Sequence, residues 1–60
     1  REYNDHNQVM RAILRAYQQE LIEARDFINA KANITPEEKA IANMIQQAIN
    51  NIIRAFGHIL

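Results

Sequence analysis

Cysteine and tryptophan are missing from this chain, and glycine and proline occur once each, as Gly57 and Pro36. Without cysteine, neither a disulfide nor a thiolate–zinc site can supplement the core. With no glycine or proline before Pro36, nothing punctuates the backbone over the first 35 residues. Neither sign of charge is in excess, because seven Lys and Arg balance seven Asp and Glu. That balance argues against holding nucleic acid or an anionic membrane by bulk electrostatics. Long apolar runs are absent too: Asn, Gln and Arg interrupt every stretch well short of the ~18 residues a membrane span needs. No signal peptide is expected, and the cytoplasm is the default location. The chain begins at Arg1 rather than Met, so it reads as a piece trimmed from something longer.

What is present is a single small domain. Sixty residues lie near the lower limit at which one chain buries enough surface to stay folded. A hydrophobic content of 48% is that of a globular chain rather than a disordered one. Its punctuation is concentrated in Asn33-Ile34-Thr35-Pro36-Glu37-Glu38. Thr35 can cap a helix, Pro36 suits the first helical position, and Glu38 stands where a capping box needs it. Lys39 occupies the position where a hydrophobic staple would place an apolar residue, so Ile34 is expected to pack elsewhere. Asn33 is the expected left-handed exit residue of the preceding helix.

Upstream, Asn4 or Asp5 can cap a first helix, with Gln8 completing a box from Asp5. Apolar positions then recur at Met10, Leu14, Tyr17, Leu21, Ala24 and Ile28, in alternating steps of four and three. Val9, Ile13, Ala16 and Phe27 widen that stripe on one side. The second segment is more apolar still. Between Ala40 and Leu60 there are thirteen apolar residues and one formal charge, Arg54. At about 100° per residue the apolar positions fill one arc of roughly 180°. A surface helix seats on one neighbour with a stripe of only about 100°, so this one needs cover from two sides.

The expected fold is all-α, one domain over residues 1–60. A first helix runs over about 5–32, a turn over 33–35, and a second helix over about 36–58. Two such helices joined by a short turn lie antiparallel. A lone pair leaves much of each apolar face in water, which two hairpins solve by packing into a four-helix bundle. A homodimer is the favoured assembly. Its interface is expected to use Ile41, Ile45, Ala48, Ile49, Ile52 and Phe56 from the second helix. Leu14, Tyr17, Leu21 and Ile28 join them from the first. Ile45 and Ile52 lie nearest the centre of the arc and should be buried.

Residues with chemistry are sparse. His6 and His58 fall at one end of the hairpin, near Glu2 and Asp5, but without Glu-x-x-His or His-x-x-x-His spacing no metal is expected. Glu20 stands among Ile13, Ala16, Tyr17, Ala24 and Phe27, where it is either an edge residue or a polar group that fixes register. Arg11, Arg15, Ile22 and Arg25, with Gln18 and Asn29, form a second stripe expected to face outward. Ile22 within it hints at a contact surface for a partner. The second helix has a neutral polar face of Asn43, Gln46, Gln47, Asn50 and Asn51. No nucleophile–base pair, phosphate loop or ligand set is present, so neither catalysis nor a cofactor is expected.

The expected function is therefore non-enzymatic: protein–protein interaction or oligomerisation, as a regulatory module working as a homodimer. In architecture the hairpin resembles the Rop class of small hairpin dimers, although no sequence motif accompanies the likeness. Fold likeness alone does not carry function; the alternative, a Rop-like nucleic-acid-binding regulator, rests on the arginine stripe, with Arg11, Arg15 and Arg25 from two chains. Glu23 and Asp26 border the stripe and weigh against it. An amphipathic membrane-surface element is disfavoured, because the polar face of the second helix lacks the Lys and Arg such helices carry.

Overall fold

A computed structural model describes residues 2–60, with side chains described from Asp5 onward. The chain forms two helices, α1 (Glu2–Asn29) and α2 (Pro36–Phe56), which pack against each other as an antiparallel hairpin. The result is a rod of 50 × 16 × 12 Å with a radius of gyration of 14.4 Å. A compact chain of this length would have a radius of gyration of about 10 Å, so most residues stand close to a surface.

The turn follows the chemistry of its residues. Glu38 N–H donates to Thr35 Oγ1 at 3.1 Å, and Thr35 N–H donates to Glu38 Oε1 at 2.9 Å. Together these close the capping box at the start of α2, with Pro36 in its first turn. Glu37 and Glu38 place negative charge at the positive end of the helix dipole. Lys31 forms an ion pair with Glu38 across the connection. Glu38 is held below the ordinary glutamate pKa, chiefly by the Lys31 hydrogen bond and then by the Thr35 N–H.

Several local expectations are corrected. α1 begins at Glu2, so Asn4 and Asp5 lie within its first turn and not at its cap; the Asn4 side chain lies outside the described residues. It ends at Asn29 instead of running to about 32, tightening as Lys31 N–H reaches Ile28 O at 3.2 Å. Asn33 does not exit left-handed, since no described residue has positive φ. Ile34, expected to pack elsewhere for want of a staple partner, is instead 37% exposed in the turn. α2 ends at Phe56, where Gly57 keeps right-handed helical angles and its N–H still reaches Ile53 O. The chain then turns once more, with Ile59 and Leu60 N–H both donating to Phe56 O.

One seam holds the hairpin together. Leu14, Ala42, Ile49 and Ile52 are buried, and Met10, Leu21, Ile28, Ile45 and Phe56 are half-buried around them. On α1 the seam continues through Gln18 and Arg25, both half-buried. These two stand where Tyr17 and Ala24 were expected, and Tyr17 and Ala24 are exposed instead. Gln and Arg can take such places because their aliphatic stems cover apolar surface while their polar ends reach out of the seam.

Candidate interaction surface

The seam occupies only one edge of each apolar arc, and what remains is a surface. On α1, Val9, Ile13 and Tyr17 are each more than half exposed and Phe27 is 76% exposed. On α2, Ile41 is about half exposed and Met44 is 70% exposed. At about 100° per residue, the α1 residues lie roughly 60–150° from the seam, all on the side reached by counting backwards along the wheel. Ile41 and Met44 lie roughly 60–120° from the α2 seam in that same sense. Two antiparallel helices face each other with opposite polarity, so equal rotation away from the seam brings both sets to the same side of the rod. The hairpin thus carries an apolar face built by both helices, crossed at one level by Glu20 and Asn51. Ile53 is the exception, exposed on the opposite flank with the half-buried Ile22.

Polar contacts fix how the helices are aligned. Arg25 Nη1 donates to Gln46 Oε1 at 2.8 Å, partly buried, while its Nε and Nη2 bond Asp26 Oδ1 at 3.1 and 3.0 Å. Gln46 Nε2 passes the chain on to Asn50 Oδ1 at 3.1 Å. Near the other end Arg11 Nε donates to Ile59 O at 2.8 Å and Arg15 Nη2 to Leu60 O at 3.3 Å. These guanidinium groups satisfy carbonyls just beyond α2, at the negative end of its dipole. With this alignment Phe27 stands level with Met44, Ala24 with Ala48, and Glu20 with Asn51. Glu20 and Asn51 are both exposed, and at about 100° per residue Glu20 falls between Ile13 and Phe27 on the face itself.

The expected outward stripe is therefore corrected. Arg25 lies on the seam and bonds α2, Arg11 and Arg15 bend over the end of α2, and Ile22 is half-buried beside the seam instead of exposed. The stripe follows the flank of the packed interface and does not form a row of free cations. The residues expected at an oligomer interface divide into three groups. Leu14, Ile49 and Ile52 are buried within the single chain, and Ile45, Ala48, Phe56, Leu21 and Ile28 are half-buried there. Tyr17 and Ile41 stand open on the apolar face.

His6 and His58 are both exposed. Among the described residues no three His, Asp or Glu side chains converge on one point, and the rod encloses no cavity. No described helix is long and apolar enough to cross a membrane. Sequence reasoning missed the Arg25–Gln46 bridge, although Leu14, Gln18, Leu21, Arg25 and Ile28 carry the alternating four–three spacing that signals it. No known protein family, no characterised protein and no solved structure matches this chain.

Proposed function

We propose that the protein is a non-enzymatic interaction module that works as a homodimer, two hairpins joining their open apolar faces in a four-helix bundle. The observation that carries this reading is the face itself, which gathers Val9, Ile13, Tyr17, Phe27, Ile41 and Met44 on one side of the rod. Its size fits. α2 has 21 residues, about 30 Å at 1.5 Å per residue. Two helices about 10 Å wide over that length make a footprint of about 600 Å² per copy. The total of about 1,200 Å² is the lower bound of specific, stable interfaces. Charge does not oppose the pairing, since the chain is neutral overall.

The accessible surface of the single hairpin points the same way. It is 4778 Å², whereas a folded monomer of this mass exposes about 4,000 Å². The surplus is of the order that pairing would remove from each copy. Sedimentation equilibrium from below to well above micromolar concentration tests the reading. A species of twice 7.0 kDa is expected, and Phe27→Glu with Met44→Glu should yield a helical monomer. A helical 7.0 kDa species at every concentration would overturn it.

A further inference from the structure

Resting on that self-association, we infer that the two hairpins meet with their turns at the same end, each α1 lying on the α2 of the second copy. Only two twofold arrangements put the apolar faces together. One has its axis along the rod, so turn meets turn and every level meets its own level. The other has its axis across the rod, so turn meets open end and each helix meets its own copy.

The distribution of residues along the face separates the two. Phe27 and Met44 are the most exposed large apolar side chains among the described residues, and they stand level on opposite helices. An axis along the rod places each Phe27 over the other copy's Met44, a thioether against an aromatic ring, which is a favourable contact. The next level pairs Ala24 with Ala48, small residues that let the helices stay close. The level after that pairs Glu20 with Asn51, where the amide of one copy can donate to the carboxylate of the other.

The crosswise arrangement loses these matches. Centred on the face, it brings Glu20 toward its own copy, carboxylate against carboxylate. It also carries Met44 to the level of His58, a polar residue in place of the Phe27 ring. Glu20 and Asn51 thus act as a selector of orientation, the best-attested use of a polar group at a helical interface.

The chain has no cysteine, so Asn33→Cys in the exposed turn accepts one nitroxide label per copy. Pulsed dipolar spectroscopy on the labelled dimer should give a distance under about 25 Å, two to three interhelical spacings. The crosswise dimer would give about 45 Å from helical rise, and that result would overturn the inference. Asn51→Asp should raise the dissociation constant roughly fivefold, from two symmetric like-charge pairs, and adding Glu20→Gln should restore it. Unchanged affinity in Asn51→Asp would equally overturn it. A dimer with the long distance defeats the orientation alone, whereas a monomer defeats the self-association as well.

Discussion

Ile49→Ala and Met44→Ala together separate what the single hairpin holds from what its open face adds. Ile49 is 4% exposed at the centre of the seam, between α1 and α2. Truncating a buried isoleucine to alanine costs about 2–5 kcal/mol, the transfer energy of the lost carbons plus the void left behind. A domain of sixty residues has roughly 3–9 kcal/mol of stability in all, so this one change should remove a large share of it. At about 4–8 °C per kcal/mol for a domain of this size, the melting temperature should fall by at least about 8 °C. The loss should be the same at every protein concentration. Met44 is 70% exposed in the single chain, so its truncation should change the monomer by no more than about 0.5 kcal/mol. It should instead flatten the rise of melting temperature with concentration, because only the associated species buries that side chain. Thermal melts followed by circular dichroism over a concentration series read both effects. Equal losses for the two variants at the lowest concentration would show that the seam has been assigned to the wrong edge of α2.

Thr35→Ala removes the acceptor of Glu38 N–H and should lower stability by about 0.5–2 kcal/mol in denaturant melts. Glu38 has a lowered pKa in the folded chain, so its contribution is present above the ordinary glutamate value and is lost as pH falls through the folded one. Acid titration of the denaturation midpoint should show a downward step in that range, and Glu38→Gln should remove it. Gly57→Ala would ordinarily stabilise a helix end, but here an added Cβ would lie 2.4 Å from Ile53 O. The final turn must open, breaking the 2.8 Å Gly57 N–H bond to Ile53. The variant should therefore be less stable than the parent by about 1 kcal/mol in the same melts. Arg11→Ala frees the Ile59 carbonyl and should speed amide exchange after Phe56, leaving exchange around Leu21 unchanged.

The turn was the most legible part of the sequence, because Thr35, Pro36 and Glu38 each admit few alternatives and act over three residues. The phase of α1 was not legible. Met10, Leu14, Tyr17, Leu21, Ala24 and Ile28 satisfy helical spacing as well as Leu14, Gln18, Leu21, Arg25 and Ile28 do. Hydrophobicity favours the first set, and the structure packs the second. The difference lies in Arg25, whose guanidinium finds Gln46 and Asp26 while its stem covers the seam; no count of apolar residues registers such a pairing. The breadth of the α2 arc is a signal of a different kind. One neighbour covers Ala42, Ile49 and Ile52 and leaves Ile41 and Met44 open, which is the surplus on which the functional proposal rests. The orientation of Arg11 and Arg15 depends on where the carbonyls of Ile59 and Leu60 lie beyond α2, which no local spacing in α1 registers.

The spacing of the cross-helix bonds has a consequence for how the hairpin assembles. Lys31 and Glu38 are seven residues apart, Arg25 and Gln46 are 21, and Arg11 and Ile59 are 48. At about 0.6 kcal/mol per doubling of loop length, closing the 48-residue loop first costs about 1.7 kcal/mol more than closing the seven-residue one, and a closed turn shortens every later loop. The economical route is a zipper that starts at the Thr35 box and runs toward the termini, with each contact shortening the search for the next. Folding rate then depends on the turn, so Thr35→Ala slows folding. Bonds at the open end form last, so Arg11→Ala acts almost wholly on unfolding. The rod opens from its free ends, and the turn held by Lys31 and Glu38 is the last to come apart.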